Sequence, residues 1–197
     1  MAEGGQSMGN VMEIRWHGRG GQGAKTASLL FAEAASMEGK YSQGFPDYGP
    51  ERMGAPMRGF NRVSDEPILV HCAIYSPSIV VVLDDTLLST VDVASGTPED
   101  GVIIVNTVKT AADVRRQLDI EGRRIYVVDA TGIAIDEIGR PIPNAPMLGA
   151  LIKVTGVLSL DSILSQIRKK FSHGFRPEVL EGNVRAIERA HGEVMSE

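Results

Sequence analysis

Three short apolar runs constrain the architecture more tightly than anything else in the chain. Ile79–Leu83, Val102–Val105 and Ile125–Val128 are continuous aliphatic stretches of strand length. A strand that is apolar at every position is one buried on both faces, the mark of the interior of a parallel sheet. Helical candidates near Thr86–Val91 and Thr110–Leu118 separate the runs. Strands alternating with helices predict an α/β fold with a mostly parallel sheet and helices on both faces. All three runs end on a polar residue: Asp84, Asn106 and Asp129. In open α/β sheets, ligands and partners sit beyond the carboxyl ends of the strands. The same residue types also cap the helices that follow strands, and both roles stay open.

The amino-terminal half adds a second signal. Val11–Trp16 reads as a strand, Gly18–Gly23 as a glycine-rich loop, and Ala24–Met37 as a helix with Ala27, Leu30, Phe31 and Ala34 on its buried stripe. Gly39 is its stop. Tyr41–Gln43 reads as a short strand. Residues 44 to 59, "GFPDYGPERMGAPMRG", carry glycines and prolines with few aliphatics, so a long loop is expected there. Phe60–Val63 and Pro67–Ala73 read as an antiparallel hairpin around Ser64–Glu66. Downstream, residues 140 to 156 read as a proline-rich loop and a buried helix. Asp161–Phe171 is an amphipathic helix with Arg168, Lys169 and Lys170 in its last turn, and Pro177 opens a final helix running to about Val194. With 197 residues, these elements fit one Rossmann-like domain over 11–197. Met1–Asn10 is glycine-rich and polar, lacks the apolar core of a signal peptide, and is expected to be a disordered leader.

The glycine loop is the motif that bears on chemistry. A Walker-type phosphate loop needs its lysine directly after the last glycine. Here Ala24 lies between Gly23 and Lys25, and one extra residue turns the lysine about 100° around the helix start. Gly18, Gly20 and Gly23 do fit the dinucleotide pattern G-x-G-x-x-G between a strand and a helix. That pattern also wants a carboxylate at the end of the second strand, and the position near Gln43 has none. What remains is a loop feeding a helix N-terminus, with free backbone N–H groups and a partial positive charge. Gly18, Arg19, Gly20, Gly21, Gln22, Gly23, Lys25 and Thr26 form this candidate anion or interface loop. A tight turn that needs glycine only for its backbone angles is the other reading.

Taken together, "EIRWHGRGGQGAKTAS", "FPDYGPERMGAPM", "VVVLDDTLL" and "PNAPMLGAL", in that order, resemble the gamma subunits of 2-oxoacid:ferredoxin oxidoreductases of the pyruvate synthase type. The likeness runs from about Met12 to the C-terminus, with Met53 a departure. The resemblance implies a subunit of an enzyme that converts a 2-oxoacid, coenzyme A and oxidised ferredoxin to acyl-CoA, carbon dioxide and reduced ferredoxin. It also implies that thiamine diphosphate, magnesium and iron–sulfur clusters sit on the partner subunits. By the same resemblance, Phe45, Tyr48, Arg52, Met53 and Asn144 face those partners.

The residues agree with that division of labour. The nearest approach to a thiamine diphosphate G-D-G segment is Glu99-Asp100-Gly101, without the first glycine. Cys72 is the one cysteine, so no cluster can be ligated and a reducing cytoplasm is expected. His17, His71, His173 and His191 are too scattered to suggest a metal site. A net charge of −5 argues against nucleic acid, and no apolar run approaches the ~18–20 residues of a membrane span. The chain alone is expected to be inactive. The alternative is a free-standing Rossmann-like protein that holds a dinucleotide at the glycine loop.

Overall fold

The computed structural model describes residues 11–47, 53–172 and 174–197. The expected leader Met1–Asn10, together with Tyr48, Arg52 and His173, lies outside the described residues. A seven-stranded sheet organises the rest. In chain order the strands are β1 (Met12–Arg19), β2 (Tyr41–Asp47), β3 (Pro56–Ser64), β4 (Ile79–Val82), β5 (Val102–Asn106), β6 (Arg124–Val128) and β7 (Met195–Ser196). The helices are α1 (Ala24–Met37), α2 (Ala111–Leu118), α3 (Ala130–Ile138), α4 (Asn144–Thr155), α5 (Leu160–Phe171) and α6 (Pro177–Glu193), with a 3-10 turn at Asp85–Ser89.

The spatial order is β2-β3-β1-β4-β5-β6-β7. β1, β4, β5 and β6 are parallel, β3 runs antiparallel to both β1 and β2, and β7 closes the far edge antiparallel to β6. The mostly parallel α/β sheet expected from the apolar runs is therefore present, with helices on both faces. Alternation along the strands divides two cores. Ile14, Trp16, Val81 and Ile104 face α1, α3, α4, α5 and α6, while Val80, Val82, Ile103 and Val105 face the 3-10 turn and α2. Each fully buried aliphatic side chain contributes about 1.5–3 kcal/mol relative to exposure.

The antiparallel side differs from the expectation. Pro67–Ala73 is not a strand; the antiparallel pair is β2 with β3, joined by the glycine- and proline-rich segment. β2 continues through Gly44, Phe45 and Pro46 to Asp47, and β3 begins at Pro56. Two physical reasons explain the extension. A Cβ at Gly44 would lie 2.9 Å from the Ser28 carbonyl and 3.0 Å from the Ala32 Cβ, so glycine lets β2 lie close against α1. Proline is tolerated because β2 is an edge strand, where one missing N–H removes no ladder bond. The Thr86–Val91 candidate is a 3-10 turn, and α3 and β7 had no counterpart in the sequence reading.

Candidate functional site

β1 delivers the glycine loop to the carboxyl edge of the sheet, and α1 starts from it. The four glycines do different things. Gly18 is still in β1, in ordinary contact with Leu83 and Ala24. Gly20 is stitched to the loop before β3, its N–H donating to the Ala55 carbonyl (3.0 Å) and its carbonyl accepting from Gly54 N–H (3.1 Å). Gly21 (φ 99°) and Gly23 (φ 83°) are left-handed, the region that disfavours a Cβ. A Cβ at Gly21 would meet open space, whereas one at Gly23 would lie 2.6 Å from Nδ2 of Asn144. The fold thus brings together Gly23 and Asn144, 121 residues apart in the chain.

That contact places two helix N-termini side by side. Among the described α-helices, only α1 and α4 have neither a capping side chain nor an acidic residue in the first turn. At α4, Asn144 Oδ1 accepts locally from Ala145 N–H (2.9 Å). The positive ends of both helix dipoles therefore lie together. Lys25 and Thr26 are exposed on the first turn of α1.

A polar network braces the loop. Arg19 Nε lies 3.2 Å from Asp84 Oδ2, and the Arg19 guanidinium also donates to Thr86 Oγ1 (2.8 Å) and the Gly54 carbonyl (3.2 Å). Gln22 accepts from Arg19 N–H (2.7 Å) and donates to Asp84 Oδ2 (2.7 Å). Burial pushes the Asp84 carboxyl up. Hydrogen bonds from Thr86 and Gln22, with the charge of Arg19, outweigh that and hold it below the usual carboxylate range. Asp84 also caps the 3-10 turn through Thr86 N–H, and Asp129 caps α3 through Gly132 N–H. Asn106 reaches further. It donates to the Leu83 carbonyl and Thr131 Oγ1 and accepts from Thr131 N–H, tying the ends of β4 and β5 to α3. Asp84 and Asp129 thus cap the elements that follow their strands, whereas Asn106 does not, the α2 cap being Thr110.

The described residues expected to face partners separate into two places. Met53 is 94% exposed at the loop tip beside Gly54 and Ala55, next to the glycine loop. Phe45 lies on β2, its ring 5.4 Å from that of Phe60, away from Asn144. The sequence reading missed the Arg19–Gln22–Asp84–Thr86 network, because nothing in spacing alone couples residues 19 and 84. It also missed buried His17, whose Nε2 accepts from Arg15 Nε (2.9 Å). Burial, then the charges of Arg15 and Arg58, pushes His17 down to about 3, so it is neutral near pH 7 and serves as an acceptor. No cluster of metal-ligating side chains occurs among the described residues.

The dinucleotide alternative fits this geometry poorly. β2 does end on a carboxylate, Asp47, four residues beyond Gln43, where the sequence reading ends the strand. β3, however, separates β2 from β1, and Asp47 is bound to Arg58 (2.5 Å).

Comparison with known proteins settles the lineage. Residues 13–193 match the pyruvate ferredoxin/flavodoxin oxidoreductase family. The chain belongs to that family. It is 54% identical over 182 residues to the pyruvate synthase subunit PorC of Thermotoga maritima, covering 92% of this chain and 94% of that one. It is 47% identical over 180 residues to the common gamma subunit of the pyruvate/ketoisovalerate oxidoreductases of Pyrococcus abyssi, covering 91% and 95%. The crystal structure of the pyruvate oxidoreductase subunit PorC from Thermotoga maritima superposes with a TM-score of 0.85 at 51% identity, over 95% of this chain and 98% of that one.

Proposed function

We propose that this chain is the gamma subunit of a multi-subunit 2-oxoacid:ferredoxin oxidoreductase that oxidises pyruvate with coenzyme A. The observation that carries the reading is identity near one half over almost the full length of both chains, with gamma-type subunits as the relatives. The chain's own residues fit a supporting role. One cysteine, exposed and free, cannot ligate a cluster, and the thiamine diphosphate segment is missing. Thiamine diphosphate, magnesium and the iron–sulfur clusters are assigned to the partner subunits. The complex is assigned to the cytoplasm, in keeping with the free thiol and with the absence, among the described residues, of any helix long and apolar enough to cross a membrane.

Within the complex, the carboxyl edge of the sheet is the working face. Gly18–Gly23, Lys25, Thr26 and Asn144, flanked by Met53, are proposed to face the partner subunits and help enclose the reaction. The paired N-termini of α1 and α4 favour an anionic group there, a phosphate of coenzyme A or a carboxylate of the partner. Lys25→Ala in the reconstituted complex is expected to raise the coenzyme A concentration needed for half-maximal rate, with the pyruvate dependence unchanged. Unchanged kinetics across coenzyme A concentrations would remove the anion role for Lys25. The broader reading is tested by purifying the chain from its native source and assaying the co-purifying assembly with pyruvate and with branched-chain 2-oxoacids. Recovery of the chain without larger subunits would contradict it.

A further inference from the structure

Most cations on this molecule have an acidic partner nearby, and one corner does not follow the rule. Arg58, Arg62, Arg115, Arg116, Arg185 and Arg189 are all ion-paired. Arg15 and Arg123 donate to backbone carbonyls instead, and Arg124 on β6, Arg140 after α3 and Lys153 on α4 are exposed without an ion pair to a described residue. Arg168, Lys169 and Arg176 are different: all are exposed, all lack an ion pair among the described residues, and all sit at the turn from α5 into α6. Lys170 beside them is held by Glu33 of α1 (2.9 Å). Glu178, the nearest carboxylate in sequence, is not within ion-pair distance of the three.

The helix dipole accounts for part of the cluster: it favours Arg168 and Lys169 in the last turn of α5, whereas Arg176 is the N-cap of α6, where a cation gains nothing from the dipole. The last carbonyls of α5 are already bonded: Ser172 N–H donates to the Arg168 carbonyl (3.0 Å) and Ser172 Oγ to the Lys169 carbonyl (2.9 Å). Phe175 is 53% exposed, its ring 4.7 Å from that of Phe171, which is packed on the core. Phe175 precedes Arg176 directly in the chain, and arginine and aromatic side chains are enriched at protein interfaces and among their strongest contributors.

We infer that this α5–α6 corner docks an acidic surface of another subunit of the same assembly. Charge complementarity carries the choice. The chain as a whole has a net charge of −5, so long-range attraction to an acidic partner can act only through a local positive patch such as this one. A lipid surface is disfavoured because the apolar face of α5, Ile163, Leu164 and Ile167, is spent in the core and has nothing left to insert. Nucleic acid is disfavoured by the same net charge and by the small number of cations. The inference rests on the proposal that the chain works in a multi-subunit complex.

The test uses the reconstituted complex and two variants. In one, Arg168→Glu, Lys169→Glu and Arg176→Glu are combined; in the other, Phe175 is replaced by Ala. Thermal unfolding should show each free chain folded and cooperative, with at most a small loss from the α5 helix dipole in the charge-reversed chain and from the Phe171 contact in Phe175→Ala. Affinity for the partner subunits is then titrated from low to high salt. The charge-reversed chain should bind at least tenfold more weakly at low salt and lose most of the salt dependence shown by the parent. Phe175→Ala should weaken binding with the salt dependence kept. Parent-like affinity and salt dependence in the charge-reversed chain would overturn the inference. So would intact assembly with a raised KM for ferredoxin and an unchanged rate with a viologen dye, which would give the corner to the electron acceptor. Binding of the free parent chain, lost in the charge-reversed one, to anionic vesicles or RNA with assembly unaffected would overturn it as well. Failure of the parent chain itself to assemble would overturn both this inference and the functional reading.

Discussion

The two halves of the sheet are stabilised by different physics. In the parallel half, Val80, Val81, Val82, Ile103, Ile104 and Val105 are all fully buried, and the interior is aliphatic. In the antiparallel half, the buried side chains of β1 and β3 include Arg15, His17, Asn61 and Arg62. Asn61 accepts from Trp16 Nε1 (2.8 Å) and donates to the Ser28 and Gln43 carbonyls (2.8 and 3.1 Å), tying β1, β2 and α1 together. Arg62 meets Glu13 (2.7 Å) and the Gln43 side chain (3.2 Å), and Arg15 reaches the Val93 and Ser95 carbonyls. An aliphatic interior tolerates approximate neighbours, because dispersion is non-directional. A buried polar interior holds only while every donor finds its acceptor. The glycine loop and its exposed Met53 neighbour emerge where the two halves meet, at β1.

The largest expected effect breaks the parallel half. Ile104→Ala should cost about 3–4 kcal/mol in a denaturant melt through the cavity it leaves, and the loss should be the same at pH 5 and pH 8. A loss under 1 kcal/mol would mean the two faces of that strand are not closely packed.

The antiparallel half should respond to pH instead. His17 is pushed down to about 3 from 6.5, by burial first and then by Arg15 and Arg58. Between those values the unfolded chain binds more protons than the folded one, so stability falls as pH drops from about 6.5 toward 3. At about 1.4 kcal/mol per pH unit, about 3 kcal/mol is lost by the time the pH has fallen to about 4.3. His17→Gln keeps a hydrogen-bond acceptor and should flatten that part of the stability–pH curve. An unchanged slope would show that the acid sensitivity lies elsewhere.

Directionality is the next thing to sharpen. Asn61→Leu leaves Trp16 Nε1 and two carbonyls unmatched and should cost about 2–3 kcal/mol. Trp16→Phe added to it should cost less than the sum of the two single changes, because the orphaned N–H is gone. Strict additivity would contradict the coupling. The smallest expected effect is at the junction: Gly21→Ala meets no atom, so it should cost only the left-handed backbone strain, about 1–2 kcal/mol.

This contrast also explains what the sequence disclosed. β4, β5 and β6 were legible because each carries a run of apolar residues, polar only at the ends of β5 and β6, and α1 was legible because its apolar stripe is uninterrupted and Gly39 follows. β2 was cut short because Gly44 and Pro46 look like a loop, and only α1 packed against that edge shows why glycine is needed. Pro67–Ala73 has strand-like residues, yet its Val70 and Ala73 carbonyls accept from Arg62 instead of joining the ladder. At the candidate site, the loop itself was readable from its glycines. The approach of Asn144 to Gly23, and the Gln22–Asp84 bond, depend on how distant strands and helices meet, which local pattern does not encode. The family was legible because four separated motifs kept their order.

The central claim is that the chain completes an enzyme whose catalytic cofactors lie on other subunits. An omission–addition assay tests it most directly. The remaining subunits, loaded with their cofactors, are assayed for pyruvate- and coenzyme A-dependent reduction of ferredoxin with and without this chain, and the chain is assayed alone. The account predicts no turnover by the chain alone and a rate restored in proportion to chain added, up to one equivalent. Turnover by the chain alone, or a full rate in its absence, would contradict it.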